Sequence, residues 1–352
     1  MFGIPPSPGG SGGRRPRRPA VVGGIVSAVA ALLLTACGGA GDPGGTRAGG
    51  PGGARPGAAA AGFPVTVDNC GVRTTYRRPP SRVVTIHQHP AELMLALGLE
   101  SSMAGTAFPD SEVLAQYRQA YERIPELSAK EPSFETVLEA GPDLVYGGYG
   151  SAFAEKEGRS RKAFADAGID THLNLEYCAA GRLTMDHVHE EIRTVGKIFG
   201  VADRAERLVQ DMQRRVDAVT GKLGGVRPVP VFVYDSGDKT AFTAGGTGIG
   251  QEIIRLAGGS NVFGDLDKVF GDVSWEQVVD RRPEVIVIYD YGDPGNVAEK
   301  KRFLQSQPAL ADVPAVKNRR FAVLPLTATV VGVRPPQAVE ELAGQLHPER
   351  FR

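Results

Sequence analysis

The side chains best suited to chemistry lie where predicted strands end. His87 and His89 stand two residues apart at the end of the apolar stretch 82–87, so both can project from the mouth of a sheet. Ligands bind at the carboxyl ends of strands in open α/β sheets, so the pair could contact a ligand or a metal ion. The alternative is structural, with one histidine capping the next helix and the other lying in the turn.

Aromatic residues occupy the same kind of position. Phe108, Tyr149, Tyr234 and Tyr291 end or follow apolar strands, and rings with a polar tip suit an organic ligand that carries aromatic groups and oxygen donors. Arg334, in the loop before the last predicted helix, could donate two parallel hydrogen bonds to an anionic ligand. Its alternative is an ordinary surface arginine.

The sequence offers no catalytic motif. Residues 245–250 read GGTGIG, which lacks the lysine of a phosphate-binding loop and the spacing of a dinucleotide fingerprint, so they predict a tight turn into a helix. The chain has no G-x-S-x-G elbow and no H-E-x-x-H zinc motif. We therefore expect no cofactor and no enzyme activity, and keep a secreted hydrolase with a scattered triad as an alternative.

A long amphipathic helix is predicted over residues 203–223, because its apolar residues recur every three and four positions. Asp203 is expected as its N-cap with Glu206 as capping-box partner, and Gly224 with Gly225 as its end. Alternating strands and helices precede this helix and resume after it. The pattern predicts two α/β halves joined by one stiff helix, although an ordinary surface helix in one large domain fits the periodicity equally well.

Two segments on either side of the long helix resemble each other. Residues 132–146 read PSFETVLEAGPDLVY and residues 273–289 read VSWEQVVDRRPEVIVIY. Both contain a serine, an aromatic residue and a glutamate at a predicted helix start, then a proline, an acid and an apolar strand. The similarity favours two related halves with a ligand cleft between them.

The first 36 residues predict an export signal rather than part of the fold. Arg14, Arg15, Arg17 and Arg18 precede an apolar run that is short for a membrane span. Residues 34–37, Leu-Thr-Ala-Cys, resemble a bacterial lipobox, which predicts diacylation of Cys37; a plain secretory signal is the alternative. The Gly-, Ala- and Pro-rich residues 37–62 predict a flexible tether. The expected divisions are then 63–200, 201–225 and 226–352.

Charge and cysteine content restrict the function further. The chain has 40 basic and 40 acidic residues; loss of residues 1–36 removes four arginines and leaves 36 against 40, a formal charge of −4. Such a balance argues against a nucleic-acid partner. With Cys37 lipidated, Cys70 and Cys178 remain and are expected to form a disulfide in an oxidising compartment. Two buried free thiols are the alternative.

Several stretches together resemble a known family. They are LTAC at 34–37, RVVTIHQHPAELMLALGLESSMAGTAF at 82–108, the two glutamate-bearing segments, and EEIRTVGKIFGVADRAERLV at 190–209. The chain resembles the solute-binding proteins of bacterial ABC importers, of the iron-siderophore and cobalamin type. The resemblance implies two Rossmann-like lobes joined by one helix, as in class III periplasmic binding proteins, with little hinge motion and the ligand held between the lobes.

The resemblance also implies how such a protein is used. One glutamate on each lobe docks against arginines of the permease, and the matching residues are Glu135 and Glu276; their alternative is stabilisation of a helix N-terminus. Close relatives often have Asn-Gln where this chain has His87-Gln88. A related group of zinc and manganese receptors places a metal-binding histidine near this point, which makes a directly bound metal ion an alternative ligand.

We therefore expect a monomeric, lipid-anchored receptor on the extracytoplasmic face of the cell membrane. Its expected ligand is a ferric siderophore or a similar iron chelate, and its expected partners are an ABC permease and its ATPase. Cobalamin, haem and a bare metal ion are the alternative ligands.

Overall fold

The computed structural model of the chain describes residues 62–109 and 111–351. The predicted signal segment, Cys37 and the tether up to residue 61 lie outside the described residues. In the part of the chain that is described, no helix combines the length and the apolar character that crossing a bilayer requires.

Strands alternate with helices along most of the described chain. The strands are β1 Val65–Asn69, β2 Val72–Tyr76, β3 Val83–Ile86, β4 Met103–Ala107, β5 Glu126–Ser128, β6 Leu144–Gly147, β7 Asp170–Leu173, β8 Val229–Tyr234, β9 Ala241–Ala244, β10 Gly259–Asn261, β11 Phe270–Val273, β12 Val285–Asp290 and β13 Phe321–Pro325. The main apolar strands coincide with those that hydrophobic runs predict. The short strands β5, β10 and β11 carry no comparable hydrophobic signal.

Two parallel sheets form the body of the molecule. The N-terminal sheet has the order β5-β4-β3-β6-β7 and the C-terminal sheet the order β10-β8-β12-β13. All neighbouring strands in both sheets run parallel. In each sheet the strand order reverses once, between β3 and β6 and between β8 and β12. Such switch points open a crevice at the carboxyl ends of the strands.

Two antiparallel ribbons accompany the sheets. β1 and β2 pair as the predicted hairpin, and β9 pairs with β11. The α-helices are α1 Gln88–Ala96, α2 Arg118–Tyr121, α3 Phe134–Glu139, α4 Arg161–Asp166, α5 Met185–Ile198, α6 Ala202–Lys222, α7 Ile249–Leu256, α8 Trp275–Arg281, α9 Asn296–Ser306, α10 Pro314–Lys317 and α11 Pro335–Leu346.

Helix α6 is the predicted long helix, and it lies in sequence between the two sheets. It packs against α5 on one side and α11 on the other, through the buried residues Ala205, Val209, Met212, Val216 and Val219. The predicted fold class, two α/β halves joined by one long helix, is confirmed.

The start of α6 differs from the prediction. Val201 occupies the N-cap without a side-chain cap, and Asp203 lies in the first turn. Glu206 makes no capping box, because a helix that starts at Ala202 has Arg204 at its third position. The Glu206 carboxylate instead accepts hydrogen bonds from Arg193 of α5, 2.9 Å from Nε. An acid in the first turn still complements the helix dipole.

One apolar core connects the two sheets. It contains Val83 and Leu144 of the N-terminal sheet, Val231 and Val285 of the C-terminal sheet, and the buried face of α6. Because packed cores resist continuous deformation, this shared core favours a stiff connection.

The two remaining described cysteines form a disulfide. Cys70 follows β1, Cys178 follows the loop after β7, and their Cα atoms lie 5.0 Å apart. The bond closes a loop with a sequence separation of 108 residues, which is worth about 4–5 kcal/mol in the chain-entropy model.

The two similar sequence segments form the same structure. In each, a serine N-cap accepts a hydrogen bond from the third helical residue: Ser133 from Thr136 and Ser274 from Gln277. Each helix, α3 or α8, then leads into the strand beside its sheet's switch point, β6 or β12. A tyrosine followed by glycine, Tyr149 or Tyr291, comes just after each strand.

Candidate ligand-binding cleft

A cleft opens where the carboxyl ends of the two sheets meet. One part of it is a cavity of about 710 Å³ and another a cavity of about 510 Å³; both share Tyr149, Tyr291 and Leu326. The residues that line it are Phe108, Pro109, Ser111, Glu112, Tyr149, Glu176, Tyr177, Asp235, Phe242, Val269, Phe270, Asp290, Tyr291, Gly292, Asp293, Pro325, Leu326, Thr327, Val330 and Arg334. Both halves contribute, and this volume suits a medium-sized organic ligand.

Aromatic side chains dominate the walls. Tyr177 is 49% exposed and Tyr291 42%, and these are the exposed large hydrophobic residues of the described chain. Phe242 of β9 and Phe270 of β11 stack with centroids 5.7 Å apart, so the β9–β11 ribbon adds a wall that the sequence pattern did not predict. Exposed rings gathered in one crevice are typical of a binding site.

Tyr149 lies at the switch point of the N-terminal sheet, above the two histidines. Its backbone N–H donates to Nδ1 of His87 over 3.2 Å, and its ring lies 4.5 Å from the His87 ring and 4.9 Å from the His89 ring, centroid to centroid. Both histidines are buried, at 1% and 3% exposure. They therefore support the cleft wall from beneath. His87 occupies the N-cap position of α1 without a side-chain cap hydrogen bond, and His89 is the second residue of α1 instead of a turn residue.

The backbone at this support is strained. His87 has φ 76° and ψ 163°, a region that costs a non-glycine residue about 1–3 kcal/mol. Phe108, at the end of the next strand, has φ 52°, and its ring centroid is 5.4 Å from that of His87. Such outliers persist where the surroundings fix them, and here they place an aromatic ring at the mouth of each strand.

Glu131 and Arg159 hold the His87 ring from the side away from Tyr149. Nε2 of the ring lies 3.3 Å from Oε1 of Glu131, and Glu131 in turn accepts a hydrogen bond from Arg159 over 2.5 Å. The hydrogen bond from His87 lowers the pKa of Glu131, and Arg159 lowers it further. With Nδ1 accepting from Tyr149, the second nitrogen is left to face the carboxylate, which fixes the ring orientation.

Tyr291 occupies the corresponding place at the switch point of the C-terminal sheet. Its hydroxyl donates to Oδ1 of Asp235 over 2.5 Å. Burial raises the pKa of Asp235, and Nζ of Lys300 lies 4.7 Å from the ring centroid of Tyr291 while donating to the Tyr289 carbonyl over 2.6 Å. A carboxylate and an ammonium thus position the second tyrosine.

Arg334 lines the cleft, but its charge is already paired. Its guanidinium makes two 2.7 Å hydrogen bonds to the two carboxylate oxygens of Glu92, and it also donates to Thr327 and to the Glu112 carbonyl. Side-chain exposure is 10% for Arg334 and 1% for Glu92. The guanidinium therefore does not present the free fork that the sequence analysis expected for an anionic ligand; it ties α1 to the start of α11.

A half-buried carboxyl also connects the two halves. Glu176 accepts a hydrogen bond from the Val331 N–H over 2.8 Å, and neighbouring Asn174 donates to the Val331 carbonyl over 2.9 Å. Burial raises the pKa of Glu176 to about 7, against the Val331 hydrogen bond that lowers it. The base of the cleft thus contains an acid that titrates near neutrality.

Tyr234, also predicted to bind ligand, lies elsewhere. It is 4% exposed, its hydroxyl donates to the Gly237 carbonyl, and its ring packs between Trp275 and Phe303. It belongs to the second apolar core and does not line the cleft. In the sequence, Tyr234 and its apolar strand look the same as the strands followed by Tyr149 and Tyr291, although only those two tyrosines line the cleft.

Sequence reasoning missed Glu92, Glu176 and the ring pair Phe242 and Phe270. Their roles depend on partners far away in sequence, which no local pattern indicates. Among the described residues, no group of three or more His, Cys, Asp or Glu side chains could hold a metal ion. Within the described residues, the side chains around His87 therefore do not form a coordination shell for a metal ion.

Glu135 and Glu276 lie at matching positions in the two similar segments. Both are exposed and stand in the first turns of α3 and α8. For Glu135 the pKa is lowered first by its own backbone N–H and then by Ser133; for Glu276 it is lowered first by Ser274. Because each helix runs antiparallel to the strand that follows it, its N-terminus lies at the same edge as the cleft.

Comparison with known proteins gives a consistent result. The family model for periplasmic binding proteins matches residues 83–328. An uncharacterised ABC transporter substrate-binding lipoprotein of Bacillus subtilis is 24% identical over 334 residues, which cover 92% of this chain and 96% of that protein.

Solved structures share the fold. A periplasmic binding protein from Veillonella parvula superposes with a TM-score of 0.75 at 30% identity, covering 81% of this chain and 97% of its own. An ABC-type Fe³⁺-hydroxamate transport protein from Saccharomonospora viridis superposes with a TM-score of 0.69 at 27% identity, covering 81% and 99%.

The Glu92–Arg334 pair generates a stability prediction. Arg334→Met or Glu92→Leu leaves a buried charge unpaired, so each should lower the free energy of unfolding by about 3–5 kcal/mol. The double variant should lose less than the sum, because it leaves neither charge alone. Urea denaturation measures all three. The more exposed Arg215–Glu340 pair is the control, with an expected loss of about 1 kcal/mol for Arg215→Met. Additive losses at Glu92 and Arg334 would contradict this coupling.

The raised pKa of Glu176 predicts that the free energy of unfolding depends on pH. Its pKa of about 7 exceeds the unfolded value of about 4.3, so the folded state takes up a proton between these values. The stability contributed by this carboxyl is complete below pH ~4.3 and is lost as pH rises through about 7. Relative to the native protein, Glu176→Gln should therefore gain up to roughly 3 kcal/mol of unfolding free energy between pH ~5 and ~8. Denaturation curves at both pH values, with exposed Glu139→Gln as control, test this; parallel pH profiles for native and Glu176→Gln would refute it.

Proposed function

The chain belongs to the periplasmic binding protein family and is a substrate-binding protein; on that premise, we propose that it captures a ferric-siderophore-like chelate in the cleft and delivers it to an ABC permease and its ATPase. The observation that carries the proposal is the pair of switch-point tyrosines, Tyr149 and Tyr291. Each tyrosine comes from a different sheet. A side chain at the end of the neighbouring strand holds each one in place: His87 for Tyr149 and Asp235 for Tyr291.

The physical basis is a largely preformed site. The Glu92–Arg334 pair and the Glu176 hydrogen bond join the halves beneath the cleft, and the apolar core continues along α6. Preorganised aromatic walls lower the ordering cost of binding a bulky ligand, and binding includes no covalent step. The proposal treats residues 63–200 and 226–352 as the two lobes and 201–225 as their connection.

We also propose that Cys37 carries the lipid that retains the receptor at the membrane, on the outer side. A diacylated cysteine supplies the two chains that durable anchoring requires. The Bacillus subtilis relative is itself a lipoprotein, which supports this assignment. The disulfide between Cys70 and Cys178 fits an oxidising, extracytoplasmic compartment.

Ligand capture is tested by fluorescence. Titration of the full chain in detergent with a ferric trihydroxamate should quench Trp275 and tyrosine emission, and Tyr149→Ala or Tyr291→Ala should each weaken binding about ten-fold, because each removes one aromatic wall. Phe351→Ala, which changes a half-buried ring at the far end of the chain, is the control. A panel of ferric hydroxamate, ferric catecholate, cyanocobalamin and haem identifies the ligand. Absence of binding to all four would reject the proposal.

Delivery is tested separately from capture. The double variant Glu135→Gln/Glu276→Gln should reduce ATP-driven uptake with the cognate permease roughly ten-fold, because rim charges set docking rate and register. Its ligand affinity should equal that of the native protein, since both residues are outside the cleft lining. Asp203→Asn, an exposed first-turn acid of α6, is the control. Equal loss of affinity and uptake would defeat the docking assignment.

A further inference from the structure

Resting on the proposed function, we propose that the cleft selects chelates without net negative charge. The favoured class is an uncharged or cationic complex of the hydroxamate type, or another bulky uncharged chelate, and the disfavoured class is an anionic catecholate or carboxylate complex. The inference follows from which charges face the cleft and which are already paired.

Acids outnumber cations along the lining. Among the described residues that form it, one is cationic, Arg334, and the acidic ones are Glu112, Glu176, Asp235, Asp290 and Asp293. Asp293 is exposed and Asp290 half-buried, and in sequence they flank the pair Tyr291 and Gly292. A ligand resting on that tyrosine therefore meets two carboxylates.

The single lining cation cannot serve an anion well. Arg334 carries five N–H donors, and Glu92, Thr327 and the Glu112 carbonyl accept four hydrogen bonds from them. Both oxygens of Glu92 face the guanidinium, so the charge of the pair is close to neutral. One N–H donor remains, so an anionic ligand could engage the guanidinium in a bidentate manner only by displacing its buried pair with Glu92.

Three other cations, Lys300, Lys301 and Arg118, lie near the cleft without lining it. Lys300 is 9% exposed, donates to the Tyr289 carbonyl and lies over the ring of Tyr291, and burial lowers its pKa. Lys301 lines a neighbouring surface depression that shares Asp290, Gly292 and Asp293 with the cleft. Arg118 pairs with Glu112 at the rim, where both side chains are exposed. Each of these three cations lies beside an acidic side chain, and none faces an acid from the opposite wall of the cleft.

A helix N-terminus in the floor likewise offers little to an anion. Arg334 is the N-cap of α11, and Pro335 and Pro336 fill the first two helical positions. Proline has no N–H, so two of the backbone donors that usually bind an anion at a helix start are missing. The surrounding rings present negative faces, which attract cations and repel anions.

The test compares probes of different charge. The full chain in detergent is titrated with an uncharged ferric trihydroxamate, a monocationic ferric trihydroxamate and a trianionic ferric tricatecholate, with cyanocobalamin and haem as further uncharged and anionic probes. We expect the uncharged and cationic chelates to bind at least about ten-fold more tightly than the trianion. In Asp290→Asn/Asp293→Asn this ratio should fall about five-fold, because each removed carboxylate relieves repulsion of the anion. Asp312→Asn, an exposed acid before α10, is the control and should leave the ratio unchanged.

The outcomes separate this inference from the proposed function. Equal or tighter binding of the tricatecholate or of haem would overturn the charge selection and leave the receptor function standing. An unchanged ratio in the double variant would overturn it too, since the discrimination would then have another source. Binding of cyanocobalamin alone would support the charge selection and replace the iron chelate as ligand. Binding of none of the probes would overturn the receptor function and this inference together.

Discussion

The cleft depends on one buried ion pair. Glu92 lies on the first helix after β3, and Arg334 lies 242 residues later at the start of α11, yet their side chains meet with almost no solvent contact. Glu92 also accepts hydrogen bonds from Gln88 and from the Leu114 N–H, so its carboxylate is fully used. Burying two charges is favourable only when the geometry is this complete. The pair fixes the floor of the cleft and thereby the separation of its walls.

The walls repeat one arrangement on each side. In both sheets a serine-capped helix leads into the strand beside the switch point, and a tyrosine follows that strand. The His87 ring accepts a hydrogen bond from the backbone N–H of Tyr149, whereas the Asp235 carboxylate accepts one from the hydroxyl of Tyr291. The same segment places a glutamate at each helix start, on the same edge as the tyrosine. Under the proposed function, each of these segments therefore carries both a ligand-contacting tyrosine and a permease-docking glutamate.

The two walls of the cleft differ in the charges that they expose. The strained and buried groups around His87 organise the N-terminal wall without presenting a charge to the ligand, because Glu131 is balanced by Arg159. On the other wall, the carboxylates beside Tyr291 remain at the surface. The cleft is therefore aromatic and acidic, with its arginine neutralised. The architecture is that of the family, whereas the charges that line the cleft come from the particular side chains of this chain.

The sequence by itself determined the architecture. The alternation of apolar runs and amphipathic helices, the periodicity of α6 and the two similar segments all depend on near neighbours. These local patterns favoured two halves with a connecting helix and placed Tyr149 and Tyr291 just past strands, whereas Glu135 and Glu276 were singled out by the family resemblance. Only the tertiary structure decided the roles of side chains. It buried His87 and His89 under a wall, placed Tyr234 in the core, and paired Arg334 with Glu92. Burial and pairing depend on residues brought together from opposite ends of the chain, and no spacing along the sequence encodes that proximity.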